Sequence, residues 1–219
     1  MPNRLSSQPN TKEPMSNSQL NPASHLQKMY ETLHTQSQIT PEDWQQMVPH
    51  TQVRSVPAKY TLQSAGANTP KHHFLAEGLV RLFYTTPEGK ELNKGFYGDG
   101  YIVGSLSALI LNEPCRFAVE TIEPSVVIEL PIGQLKSLIE PGNGWDRLMN
   151  YSFQMMLVRN ERREAELLTM TAKQRFLQFV RNFPDYLERI PQYHIASYLG
   201  ITPVALSKYK KQWLKDAEV

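Results

Sequence analysis

The sequence predicts an α+β fold in which an antiparallel β-roll is followed by one long helix and a C-terminal helix-turn-helix domain of the winged-helix type. Three observations predict this order. Short β-prone runs broken by glycine and proline fill residues 53–130, a helical pattern covers 144–170, and a Gly-Ile-Thr-Pro turn at 200–203 joins two short helical patterns. The strands do not alternate with long helices, so a parallel sheet is not expected.

The composition indicates a globular protein, because 40% of the 219 residues are hydrophobic and 20% are charged. No apolar run approaches the roughly 20 residues that span a bilayer. The N-terminus lacks the apolar segment of a signal peptide, and the single cysteine, Cys115, fits a reducing compartment. We therefore expect a cytoplasmic protein with no membrane partner.

The chain divides into four predicted segments. Residues 1–24 are rich in Ser, Asn, Gln and Pro and are expected to form a disordered arm. The β-roll domain covers 25–142 and begins with two short helices, the long helix covers 143–170, and the helix-turn-helix domain covers 171–219. The last segment opens with a Thr171–Gln174 capping box.

The β-roll is predicted from its short strands and the turns between them. A Thr-Pro-Glu-Gly sequence at 86–89 is typical of a hairpin turn. Many short strands at such spacing favour an antiparallel roll or sandwich. The predicted strands are 59–62, 74–76, 79–85, 91–97 and 125–130.

The long helix starts with a plausible cap, Asn143, and a first-turn acid, Asp146. Its first half is apolar, and a helix of this length favours a partner helix from a second copy of the chain. The alternative is that the apolar half packs only on its own β-roll. The candidate dimerisation residues are Leu148, Met149, Phe153, Met155 and Met156.

Residues 193–211 predict a helix-turn-helix that binds double-stranded DNA. Gly200 suits a left-handed turn, Thr202 can cap the second helix, and Pro203 suits its first position. Leu206 and Tyr209 should then face inward. The candidate DNA-contacting residues are Thr202, Val204, Ser207, Lys208, Lys210 and Lys211. Residues 145–219 hold a net charge of +4 and residues 1–144 a net charge of −2, as phosphate attraction would favour.

Three stretches resemble the Crp–Fnr family of bacterial transcription regulators. They are Phe-Leu-Ala-Glu-Gly-Leu-Val-Arg-Leu-Phe-Tyr at 74–84, Pro-Cys-Arg-Phe-Ala at 114–118, and residues 175–208. The resemblance implies a homodimer with a cyclic-nucleotide-binding-like roll that senses a signal, and long helices that reorient two DNA-binding heads. It also implies RNA polymerase as a further partner.

The resemblance places an effector site at Gly104, Ser105, Arg116 and Phe117. Family members that bind cyclic nucleotides carry Gly-Glu at the first pair and Arg-Ser or Arg-Thr at the second. This chain lacks that acid and that hydroxyl, so cyclic AMP is not expected to bind. No cofactor is expected either: an iron–sulfur cluster needs about four cysteines, and the histidine pair His72–His73, a conceivable haem ligand, is expected at the surface.

The resemblance also sharpens the prediction for the second helix. Family members often carry arginine where Lys208 and Lys211 stand. Arginine grips guanine with a rigid fork, whereas lysine is a flexible point charge. We expect modest base selectivity and an affinity that is largely electrostatic.

Other function classes remain open at this stage. The chain could be a scaffold that binds a small molecule or a protein without binding DNA. A cupin-like metalloenzyme would need several histidines and a carboxylate inside the roll. His72, His73 and Glu77 are the only candidates, and adjacent histidines point to opposite faces of a strand. Catalysis is therefore not expected.

Overall fold

The computed structural model describes residues 20–68 and 71–217. Most of the predicted arm at 1–24 lies outside them. The first helix, however, begins at Pro22, inside that arm, and is capped by the side chain of Asn21, which accepts a hydrogen bond from the Ser24 amide. Leu20 packs on the core. The folded domain thus starts a few residues earlier than predicted.

The secondary structure follows the predicted order of roll, long helix and C-terminal helices. The strands are β1 (Gln52–Val56), β2 (Thr61–Gln63), β3 (Lys71–Glu77), β4 (Val80–Thr85), β5 (Glu91–Tyr97), β6 (Ile102–Val103), β7 (Ala118–Thr121) and β8 (Ser125–Pro131). The helices are α1 (Pro22–Ser37), α2 (Pro41–Met47), α3 (Leu106–Leu111), α4 (Ile132–Leu138), α5 (Gly144–Thr169), α6 (Ala172–Asn182), α7 (Tyr186–Arg189), α8 (Gln192–Leu199) and α9 (Pro203–Ala217).

Within the described residues, the strands form two antiparallel sheets of four, in the orders β1-β8-β3-β6 and β2-β7-β4-β5. The inner faces of the sheets meet in an apolar core that includes Leu75, Val80 and Val127. The outer face of the first sheet packs on α1, α2 and the start of α5, with Phe74 and Trp145 fully buried. Since β3 and β8 are covered on both faces, their apolar runs do not alternate with polar residues.

Three of the described strands, β1, β6 and β7, were not predicted from the sequence. Each is short, and β6 and β7 depend on pairing with distant strands rather than on a local pattern. The surface position expected for His72 and His73 is wrong, because their exposed fractions are 4% and 1%. They do point to opposite faces of β3, but one face meets the inside of the roll and the other meets the helices.

The predicted helix starts are confirmed. Asn143 caps α5 by accepting a hydrogen bond from the Asp146 amide at 2.8 Å, and Thr171 and Gln174 form the capping box of α6. The start of α5 is fixed to α1, since Arg147 donates to the carbonyl of Ser37 at 2.7 Å. Within the described part of the chain, no helix is both long and apolar enough to cross a bilayer.

Candidate nucleic-acid interface

The turn between α8 and α9 is closed by backbone hydrogen bonds. Gly200 adopts a left-handed conformation with φ of +67°. Its amide donates to the Ser197 carbonyl at 3.2 Å, and the Ile201 amide donates to the Ala196 carbonyl at 3.0 Å. This pattern is a Schellman cap, which ends α8 and redirects the chain.

The second helix starts as the sequence predicts. The hydroxyl oxygen of Thr202 accepts a hydrogen bond from the Ala205 amide at 3.2 Å, and Pro203 occupies the first helical position. Because the Thr202 hydroxyl accepts that bond, its own proton is free to be donated. An exposed, capped helix N-terminus of this kind attracts phosphate.

The two helices pack through a common apolar core with α6. On α8 this core holds Ile195, Ala196 and Leu199, as expected. On α9 it holds Leu206, which is fully buried, and the partly buried Tyr209. The opposite side of α9 is thereby fixed to face solvent.

That solvent face presents a stripe at helical spacing: Val204, Lys208, Lys211 and Lys215, all exposed. Val204 is 80% exposed, a high value for an apolar side chain. Within residues 20–68 and 71–217, no carboxylate lies within ion-pair distance of the α9 lysines. Among the described residues, the positive charge of this face is therefore uncompensated.

The six predicted DNA-contacting residues divide into two groups. Thr202, Val204, Lys208 and Lys211 are exposed and lie at the N-terminus or along the stripe. Ser207 and Lys210 are half-buried on the flanks of α9. Lys210 follows the buried Leu206 by one turn and so lies toward the buried side of α9.

The sequence did not predict how this unit docks on the roll. His194 of α8 is 7% exposed, and its Nδ1 lies 3.3 Å from Arg81 Nη1 and 3.2 Å from Asn93 Nδ2. Both neighbours are donors, so Nδ1 accepts and the proton resides on Nε2. Burial, together with the charge of Arg81, lowers the pKa of His194 to about 4. The signal for this docking in the sequence is Arg81, a charged residue within the apolar run of β4.

The architecture is similar to that of several solved structures. No curated protein sequence matches the chain, but residues 53–141 match the cyclic nucleotide-binding domain. CLP, a c-di-GMP-responsive global regulator from Xanthomonas campestris, matches with a TM-score of 0.65 at 16% identity, over 81% of this chain and 93% of its own. FixK2 from Bradyrhizobium japonicum matches with a TM-score of 0.66 at 18% identity, over 76% of this chain and 86% of its own.

A putative transcriptional regulator of the Crp–Fnr family from Eubacterium rectale matches with a TM-score of 0.63 at 12% identity, over 82% of this chain and 85% of its own. The chain has the fold of a Crp–Fnr regulator. The resemblance drawn from the sequence is confirmed at that level, and the roll is of the cyclic nucleotide-binding type. None of these three proteins is described as an enzyme.

The residues at which the resemblance places an effector site make other contacts in this chain. Ser105 caps α3 by accepting a hydrogen bond from the Ala108 amide. Gly104 leaves room for the ring of His72, since a Cβ there would lie 2.3 Å from His72 Cδ2. Arg116 points outward, 72% exposed, and pairs with Glu113 at 3.0 Å.

Phe117, which stands where the resemblance expects a small hydroxyl residue, packs in the core of the roll. Phe117 is 8% exposed and packs edge-on against Tyr84. Lys94 Nζ lies 5.6 Å from the centre of the Phe117 ring. Cys115 is 1% exposed, and its thiol donates to the Phe117 carbonyl. The four predicted effector residues therefore do not converge on a shared cavity.

The long helix α5 presents a different apolar face from the one predicted for dimerisation. Leu148 is 2% exposed and, with Met149, packs in the core of its own roll. It is therefore not available to a second chain. Phe153 and Met156 are half-buried, and Met155 is 48% exposed. The exposed apolar residues that share one face with Met155 are Tyr151 and Val158.

Proposed function

We propose that the chain is a dimeric, DNA-binding transcription regulator of the Crp–Fnr type, and not an enzyme. One observation carries the proposal: a capped helix-turn-helix exposes Val204 and a row of lysines that no carboxylate of residues 20–68 and 71–217 pairs with. A helix with one buried face and one cationic face fits the major groove of DNA, where phosphates lie along both walls.

In the proposed complex, the N-terminus of α9 binds a phosphate through the Thr202 hydroxyl and neighbouring amides. Val204, Lys208 and Lys211 face the base edges or the groove walls, and Ser207 and Lys210 lie at the sides. Lysines supply charge without a rigid fork, so the complex depends strongly on phosphate attraction.

The proposed dimer forms through α5. Tyr151, Met155 and Val158 are spaced by four and three residues and leave an apolar stripe open. That spacing is the one found at the seam of two-helix coiled coils. A twofold dimer presents two copies of α9, which suits a palindromic site whose half-sites lie about one helical turn apart. RNA polymerase is the further partner that such a regulator would contact.

Selection of genomic DNA fragments by the purified protein tests this proposal. We expect enriched fragments to share paired half-sites about 10 base pairs apart, centre to centre. A matched control is Lys90→Ala, which removes an exposed lysine from the β4–β5 hairpin, far along the sequence from α9. This variant should select the same fragments. The absence of DNA retention even at low salt would favour the scaffold alternative.

Cyclic AMP is not the proposed signal, because the acid and the hydroxyl that would hold it are replaced and the bulky, buried Phe117 stands in place of the small hydroxyl residue. CLP is described as responsive to c-di-GMP, so that compound belongs in a thermal-shift screen. A ligand at a hundred times its dissociation constant adds about 2.7 kcal/mol of stability. A shift of that size with cyclic AMP would contradict this part of the proposal.

A further inference from the structure

A cavity of about 260 Å³ opens between the two sheets of the roll, at the edge formed by β1 and β2. In the described sheets these two strands are outermost on one side, and β5 and β6 are outermost on the other. Helix α8 packs against β5, so the cavity lies on the side of the roll away from the DNA-binding unit. The predicted effector residues, Gly104, Ser105, Arg116 and Phe117, do not line it.

The cavity has a buried carboxylate at its base and two cations at its mouth. Glu129 of β8 is buried and shares the inner face of its sheet with Val127, a core residue two positions before it. The two oxygens of Glu129 accept separate hydrogen bonds, one from Arg54 Nη1 at 2.7 Å and one from Lys71 Nζ. Arg54 is half-buried and Lys71 is exposed, so both side chains extend from the carboxylate toward solvent.

The charges of this cluster do not balance. Burial alone would raise the pKa of Glu129, but the hydrogen bonds from Lys71 and Arg54 outweigh it and hold that pKa below its usual value. His73 lies opposite Glu129 in the sheet, and burial above all lowers its pKa to about 4, so it is neutral at pH 7. Two cations therefore face one anion, and one positive charge is left over.

The cluster also has more donors than acceptors. Tyr60 Oη accepts a hydrogen bond from Arg54 Nη2 at 2.9 Å, which leaves the hydroxyl proton available. Lys71 uses one of its three ammonium protons on Glu129. Gln63, at the base of the cavity, accepts from the Lys71 amide and not from the ammonium group. Among residues 20–68 and 71–217, no acceptor lies within hydrogen-bond distance of these remaining protons.

The charge and size of the cavity define the ligand that fits it. A ligand with one negative charge neutralises the cluster, whereas a dianion would reverse its charge beside Glu129. The volume lies below the range of typical small-molecule sites, so only a molecule of a few heavy atoms fits. The other walls combine the apolar surface of Leu62 and Ala67 with the hydroxyls of Thr61 and Ser64.

We propose that this cavity binds a small hydroxycarboxylate, whose carboxylate group accepts hydrogen bonds from the Lys71 ammonium and the Tyr60 hydroxyl. The hydroxyl of such a ligand faces Thr61 and Ser64. This site belongs to the roll alone, and it depends neither on DNA binding by α9 nor on dimer formation.

Titration of the full chain with L-lactate and L-lactamide tests the charge requirement. The two compounds have the same shape, but only lactate is an anion, and ligand-observed saturation-transfer NMR gives a dissociation constant for each. We expect saturable lactate binding and lactamide binding at least about tenfold weaker, as for the loss of one charge-assisted hydrogen bond. Inorganic phosphate, a dianion at mildly alkaline pH, should bind more weakly than lactate at the same ionic strength.

Three variants locate the binding site. Lys71→Met removes the ammonium group and retains the length of the side chain, so it should weaken lactate binding about tenfold and change lactamide binding less than about twofold. Ser64→Glu adds a carboxylate at an exposed position of the mouth and should weaken lactate binding to a similar extent. Lys90→Met removes an exposed lysine outside the cavity and should leave both affinities unchanged.

Unfolding midpoints measured without ligand show which variants are folded. Unchanged lactate affinity in a folded Lys71→Met would overturn the proposal, and if that variant does not fold, Ser64→Glu decides in the same way. Absence of saturable lactate binding to the wild type rejects the site. Lactamide that binds as tightly as lactate, or phosphate that binds more tightly, rejects a singly charged carboxylate as the ligand.

Discussion

Lys208 lies at the centre of the exposed stripe of α9, between Val204 and Lys211. If its ammonium group contacts a base edge, Lys208→Ala should weaken the complex with the selected site by about 1–3 kcal/mol and the complex with random DNA much less. If it contacts a phosphate, both complexes should weaken equally and the salt slope should fall by about 1. Fluorescence anisotropy over a salt series distinguishes the two.

Lys208→Arg is the matched substitution, because it retains the charge and adds a planar fork. We expect it to raise discrimination between the selected site and random DNA if the position faces guanine, with little change in the salt slope. A wild-type protein that already combines a shallow salt slope with strong discrimination would contradict the electrostatic character assigned to α9.

Three buried histidines make the fold sensitive to acid. Burial, the first cause for each, lowers the pKa of His72, His73 and His194 to about 4 from the usual 6.5. Below pH 6.5 the unfolded chain gains these protons while the folded chain does not. The stability present at neutral pH is therefore lost as pH falls toward 4, by about 1.4 kcal/mol per pH unit for each such histidine.

Urea unfolding at pH 7 and pH 5 measures this loss. Both ring nitrogens of His72 lack a hydrogen-bond partner among the described residues, so His72→Leu removes a titrating group without breaking a bond. We expect its stability to depend on pH with a slope smaller by about one proton. His50→Gln, at an exposed position, is the control and should retain the wild-type slope.

At the scale of elements, the left-handed turn at Gly200 defines the angle between α8 and α9. An added Cβ would meet nothing within 4 Å, so the cost of Gly200→Ala is conformational alone. We expect a loss of about 1 kcal/mol in the free energy of unfolding. Gly133 in α4 is also open but has no positive φ. Gly133→Ala should therefore be neutral or stabilising, and equal losses in both variants would contradict the argument.

The elements that sequence reasoning located are those fixed by neighbouring residues. The cap at Asn143, the capping box at Thr171 and the turn at Gly200 each depend on a few consecutive side chains. Helix starts and the helix-turn-helix could therefore be predicted closely. The short strands β6 and β7 could not, because their pairing partners are remote in sequence.

Burial and groove formation are set by the same remote contacts. His73 faces Glu129 of β8 across the sheet. Lys94 of β5 and Arg159 of α5, which are remote in sequence, line one surface groove. No periodic pattern links residues so far apart. The predicted effector residues do not converge, for a different and local reason: Arg116 points outward and pairs with Glu113, three residues before it, rather than pointing into the roll.

For the whole molecule, the proposed dimer places Met155 at the centre of the seam. Met155→Lys would put two like charges opposite each other in an apolar interface, where neither could be hydrated fully. We expect this variant to sediment as a monomer at concentrations where the wild-type chain is a dimer. The roll should remain folded, since Met155 is 48% exposed within the single chain.

Leu157→Lys provides the control on the same helix. Leu157 is 68% exposed, but it lies two residues further on and so about 200° around the helix from Met155. Its substitution should leave the dimer intact. A dimer that survives Met155→Lys and dissociates with Leu157→Lys would place the dimer seam on the other face of α5.

DNA binding by the Met155→Lys monomer tests the role of the dimer. The monomer should bind a single half-site and a paired site with the same affinity, because the gain from a second α9 is lost. The wild-type dimer should prefer paired half-sites, and an insertion of about 5 base pairs between them should abolish that preference by turning one half-site to the opposite face of the duplex.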